Sequence, residues 1–182
     1  LAELQGVPLT KYKFIFYIIL ANAAGIVFPP SLITLLGVLI LLILIGYAKN
    51  PKSFFQKSNL LRTSSYLLLI VFSLPSLFYL AITTRQIPWS ALVDFHRAHP
   101  MMVPLDQYVL GTGPVIFLGF FGSLLAILNR KTGFYPMILW LVTTFLFASL
   151  FSVVKEQSPL RFTQTGLFIP LGILGTYLAY EL

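Results

Sequence analysis

The few charges of this chain fall in short gaps between long apolar runs, and that placement constrains its fold more than any motif. Only 9% of the residues are charged and 58% are hydrophobic, whereas a soluble domain carries roughly 25% charge. In hydrocarbon each unsatisfied backbone polar group costs several kcal/mol, so a crossing segment must satisfy its own backbone. An apolar run of about 20 residues bounded by charge is the helical solution to that demand. The mean hydropathy of +0.90 points the same way. The sequence predicts an all-α, polytopic transmembrane bundle, read as a single domain over 1–182.

Six spans are expected, at 14–28, 32–48, 64–83, 108–128, 135–154 and 167–182. Pro29-Pro30 stops the first span, because proline cannot donate and disfavours helix before it. The first two spans should therefore form a short hairpin with its tip at Pro29-Pro30-Ser31. The gap from Lys49 to Arg62 holds four basic residues and no acid, and its Phe54-Phe55 pair suits a loop lying on the bilayer surface. Pro75 should kink the third span. Gly119 and Gly122 in the fourth, three residues apart, allow a close helix approach on one face. Tyr135 and Trp140 serve as interface anchors for the fifth. Pro170 falls in the first turn of the sixth, where a missing N–H is harmless.

Basic residues divide unequally between the two sides of six spans. Lys11, Lys13, Lys49, Lys52, Lys57, Arg62, Arg130 and Lys131 fall on the N-terminal side, against Arg85, Arg97, Lys155 and Arg161 on the other. The positive-inside bias then makes the N-terminal side cytoplasmic and the poorer side outward-facing. The net charge of +7 is accounted for by residues beside spans, where anionic headgroups attract them, so membrane lipids and not nucleic acid are the expected partners. The absence of cysteine removes disulfides, thiolate metal sites and thiol nucleophiles. The chain opens without Met and ends in an apolar run, and reads as part of a longer polypeptide.

Two polar gaps on the poorer side could carry chemistry. The first runs from Arg85 to Asp106 and contains Asp94-Phe95-His96-Arg97-Ala98-His99-Pro100. On a helical turn His96 and His99 share a face, and with Asp94 or Asp106 they could bind a divalent metal or move protons near neutral pH. The bland reading is an amphipathic interfacial loop, with Trp89, Phe95, Met101 and Met102 in lipid and the charges in water; no metal site is assigned. The second gap holds Lys155, Glu156 and Arg161, followed by Thr163, Gln164 and Thr165. An arginine there suits a lipid-borne phosphate, because its planar fork binds oxygens in pairs. Its bland reading is headgroup snorkelling with local pairing to Glu156. The polar residues within the spans, Asn22 and Thr144 among them, include no ionisable group, which argues against proton-coupled transport.

The stretch Ser-Pro-Leu-Arg-Phe-Thr-Gln-Thr-Gly-Leu-Phe-Ile-Pro-Leu-Gly-Ile-Leu, Ser158 to Leu174, resembles the late signature of polytopic membrane glycosyltransferases of the GT-C type. Phe28-Pro29-Pro30-Ser31-Leu32, Leu74-Pro75-Ser76-Leu77-Phe78-Tyr79 and Gly111-Thr112-Gly113-Pro114 fit the same pattern. The resemblance implies transfer of a sugar from a polyprenyl-phosphate carrier to an acceptor on the outer face of a prokaryotic plasma membrane, without a cofactor. It implies Arg161 as the contact to the carrier's phosphate and a base outside this stretch, with Asp94 and Asp106 the remaining acidic candidates. Location alone adds Arg97, His96, His99, Lys155 and Gln164 to the substrate side. A transporter or flippase of lipid or small solute, and a non-catalytic subunit of a membrane complex, are the alternatives.

Overall fold

The computed structural model describes residues 11–49, 51, 57–99, 105–152, 160–163 and 166–182. The described residues form helices and turns and no strand. They divide into two compact units, Leu1–Arg85 and Gln86–Leu182.

The first unit contains α1 (Lys11–Val27), α2 (Pro29–Lys49) and α3 (Lys57–Thr83). The two prolines are the opening turn of α2, so Phe28 alone links the helices. Proline is favoured at that position because a helix makes no use of its first N–H groups. Ser31 closes the junction by donating its N–H, at 3.0 Å, and its hydroxyl, at 2.8 Å, to the Phe28 carbonyl. The chain doubles back there. Ala21 packs in one cluster with Leu32 and Leu36, although a straight helix would hold positions 21 and 36 roughly 22 Å apart.

Pro75 lies inside α3, where it removes one backbone bond and crowds the preceding turn. Asn22 of α1 donates into that turn, to the Phe72 carbonyl at 3.0 Å, while also bonding Ile18 O at 2.9 Å. Gly25, one turn on, lets α1 approach so closely that a Cβ would lie 2.9 Å from Ser76 Oγ. A side-chain amide with no water available thus joins two helices at the proline.

The second unit contains α4 (Trp89–Ala98), α5 (Leu105–Thr112), α6 (Val115–Leu128), a 3-10 turn (Thr132–Phe134), α7 (Tyr135–Phe151), α8 (Leu160–Thr163) and α9 (Phe168–Glu181). The expected straight span over 108–128 is broken. α5 and α6 meet at 89°, because Gly113 takes φ 69 and Pro114 cannot donate to the helix before it. Helix α6 packs along α9 through small residues. A Cβ on Gly119 would collide with Leu171, and one on Gly122 with the Leu174 carbonyl. Gly119 with Ser123, and Gly122 with Ala126, are four apart and all buried, which is the small-xxx-small spacing that brings membrane helices together. Leu141, Leu167, Leu171 and Leu174 form the core beside this seam.

Asn129 donates to the Tyr177 hydroxyl at 3.0 Å and ties the end of α6 to α9. Arg130 then takes φ 52 and Lys131 N–H bonds back to Ala126 O at 2.9 Å. This is the helix closure whose left-handed position usually belongs to glycine.

Among the described residues three helices are long and apolar enough to cross a membrane, or four if the bent pair is one span. Of the six spans expected, those over 14–28 and 167–182 become helices of 17 and 14 residues, short against the ~20 residues a bilayer requires. Large side chains such as Phe72, Phe78, Phe117 and Phe120 are more than half exposed. A soluble surface does not present so many large apolar side chains, and a lipid-facing one does.

Candidate functional site

Helix α4 is amphipathic, and His96 is its buried residue. Trp89, Leu92 and Phe95 lie exposed on the same short helix, as expected of a segment at a membrane surface. The imidazole of His96 is turned instead to α8, where Arg161 NH2 lies 2.9 Å from Nε2. A guanidinium is always a donor, so Nε2 accepts and the neutral ring carries its proton on Nδ1. That Nδ1–H is buried and has no hydrogen-bond partner among the described residues. Burial, and then the charge of Arg161, hold the His96 pKa below its ordinary 6.5. The ring is therefore neutral at pH 7 and able to accept from a cation.

Arg161 is half-buried, and its position is fixed by its neighbours. Phe162 is buried, stacked on Phe151 with centroids 4.9 Å apart and tilted against Phe147 at 5.9 Å. Thr163 is buried too. It hydrogen-bonds the Tyr108 phenol of α5, and Thr112 Oγ1 donates to the Tyr108 backbone carbonyl at 2.9 Å. Tyr108 in turn meets Phe145 edge-on at 6.3 Å. Elements α4, α5 and α7 thereby converge on the short helix α8 that carries the arginine. No carboxylate among the described residues pairs with it. A guanidinium partly removed from water and facing no counter-charge among the described residues is complementary to an anion such as phosphate.

The other expected residues that are described are not drawn into this arrangement. Arg97 is bound to Asp94 at 3.3 Å on the exposed side of α4. His99 stacks on Phe95, with centroids 4.7 Å apart, and its Nδ1 lies 3.3 Å from the Phe95 carbonyl. The two histidines therefore do not act together, contrary to the shared face read from their spacing, because the helix ends at Ala98 and His99 leaves it at φ −127. The described residues bring no three His, Asp or Glu side chains into one group. Asp106 is exposed in the first turn of α5, where the helix dipole favours a carboxylate. Lys155, Glu156 and Gln164 lie outside the described residues.

Tyr108 is the residue that sequence reasoning missed. It stands at the start of an apolar run and looks like an interface tyrosine, and nothing local announces a partner 55 positions later at Thr163. His96 and Arg161, 65 positions apart, were each singled out but not paired. Comparison of the chain with family models, with curated proteins and with solved structures gives no match.

Proposed function

We propose that this membrane protein binds the phosphate of a lipid-linked sugar at Arg161 and takes part in transferring that sugar, as the resemblance to GT-C-type glycosyltransferases implies. The observation that supports the reading is the uncompensated guanidinium: Arg161 is held by a neutral imidazole and faces no described carboxylate. In such a transfer a carboxylate would take the acceptor's proton, and Arg161 would offset charge developing on the departing polyprenyl phosphate. His96 is then a positioning residue that fixes the direction of the guanidinium fork. The reading keeps six spans with the N-terminal side cytoplasmic and this site outward, α1 and α9 being spans shorter than the bilayer that a locally thinned membrane accommodates.

A second reading, passage of a lipid-linked or small solute across the membrane, is favoured by the 89° break between α5 and α6, since transporters build sites from discontinuous helices. Binding of a polyprenyl-phosphate sugar to the protein in nanodiscs tests the shared premise. Loss of a charge-assisted hydrogen bond is worth about 1.5–3 kcal/mol, so R161A should weaken binding by roughly ten- to a hundredfold. R161K should fall between, having charge but no fork. Unchanged binding in both variants removes the assigned role. If binding holds, sugar transfer to an acceptor supports the transferase, whereas movement of the intact carrier between leaflets without transfer supports the transporter.

A further inference from the structure

A groove of about 790 Å³ runs along α9 beside Ile169, Gly172, Ile173, Thr176 and Tyr180. This is the side of α9 left free by Leu171, Leu174 and Gly175, which face α6. Phe134 walls its far end, where its ring lies 4.5 Å from that of Tyr177. Two opposite charges, Lys131 and Glu181, line the same end. Among the described residues neither makes an ion pair, with the other or with any third group. The closure at Arg130 fixes the backbone from which Lys131 projects. Tyr180, 85% exposed, stands beside them as the kind of ring that settles at headgroup depth.

An apolar channel with one cation and one carboxylate at its headgroup end is complementary to a molecule carrying an acyl chain, a phosphate and an amine in that order. We propose that the groove binds a zwitterionic glycerophospholipid with a primary amine, of the phosphatidylethanolamine type. One acyl chain lies along Ile169 to Thr176, the phosphate meets Lys131, and the ammonium donates to Glu181. A purely anionic headgroup would leave Glu181 opposed by like charge. A quaternary amine has no N–H to donate to it. The inference needs the membrane location only and is independent of the role assigned to Arg161.

The test is native mass spectrometry of the protein extracted in mild detergent from bilayers of equimolar phosphatidylethanolamine, phosphatidylcholine and phosphatidylglycerol, with helicity and oligomeric state measured on the same samples. The wild type should retain phosphatidylethanolamine severalfold over both others. E181Q should lose the preference over phosphatidylglycerol, and K131A should lower retention of all three. G172L should lower phosphatidylethanolamine retention about tenfold, a change equivalent to 1.4 kcal/mol. A Cβ at position 172 meets nothing within 4 Å and Gly172 lines the groove, so the added side chain starts in the groove and away from the α6–α9 contact. Equal retention of the three lipids by the wild type, or unchanged retention by G172L, overturns the proposal. So does a dimer that G172L dissociates while lipid retention stays the same, since a second copy would then be the occupant. Should G172L lose helicity, the E181Q preference decides alone, and a preference unchanged by E181Q refutes the site.

Discussion

Replacing Gly122 by Ala sets two opposed and separable effects against each other. Inside a helix alanine is favoured over glycine by about 1 kcal/mol. At position 122, however, the added Cβ would lie 2.6 Å from the Leu174 carbonyl carbon and closer still to its oxygen. Carbon atoms rest at about 3.5–4.0 Å, so α6 and α9 would have to separate by roughly 1 Å. The obstructing atoms are backbone, and no rotamer change relieves them. Overpacking of this kind costs about 1–3 kcal/mol and sometimes more, and here it also loosens the contacts of Gly119 with Leu171 and of Gly175 with Leu118. The expected net effect of G122A is a loss of up to about 2 kcal/mol relative to the wild type, and of about 1–3 kcal/mol relative to a site where only the propensity gain acts. G111A in α5 is the control, because a Cβ there meets nothing within 4 Å and only the propensity gain remains. Both are read by equilibrium unfolding in mixed micelles at increasing SDS, with hydrogen exchange locating the effect in α6 and α9. A G122A protein as stable as G111A would refute the close approach of the two helices.

Two further outcomes follow from particular groups. Released from α8, His96 takes a proton near 6.5, whereas docked against Arg161 its pKa is lower; the undocked state binds more protons between those values, so docking is at full strength above about 6.5 and weakens as pH falls through the lowered value. Protection of the amides of Trp89–Ala98, corrected for the intrinsic pH dependence of exchange, should fall in acid, and H96Q should flatten the dependence; protection that is equal at pH 7.5 and pH 5 in the wild type contradicts the docking. Thr144 Oγ1 is buried with no partner among the described residues, while Thr143 Oγ1 donates to Leu139 O at 2.7 Å. T144V, which removes the unsatisfied hydroxyl at nearly constant volume, should stabilise by about 1 kcal/mol relative to T143V, and the reverse order in SDS unfolding would count against the burial of that hydroxyl.

The helical class and the ends of the apolar segments were legible because both arise locally, from backbone satisfaction and from prolines, glycines and charges at the gaps. Pro29-Pro30 announced a break, and the structure differs only in making those prolines the start of α2. The 89° bend at Gly113-Pro114 was less legible. The pair stood inside a run whose composition alone favoured one span, and a bend is settled by what α5 and α6 then pack against. The glycine seam was half visible: Gly119 and Gly122 were noted by their spacing of three, while the pairings of four with Ser123 and Ala126 passed unread. For the candidate site, residue type sufficed to single out Arg161 and His96. It could not distinguish His96, turned inward to α8, from His99, stacked outward on Phe95.

By itself the sequence determined what each segment demands of its surroundings, since a run of apolar residues in hydrocarbon has no alternative to satisfying its own backbone. It also determined that the charged side chains, Glu181 at the end of the last run excepted, are confined to the gaps. Only the tertiary structure decided which charge faces no counter-charge among the described residues. Asp94 and Arg97 neutralise each other within one helical turn, but Arg161 receives a neutral imidazole from 65 positions away. The reason is physical: the reach of a side chain fixes contacts within a turn of helix, whereas contacts between distant segments depend on how closely Gly119 and Gly122 let α6 and α9 approach and on where the chain bends at Gly113. Those distances are sums over many packed residues, and no local pattern in the chain encodes them.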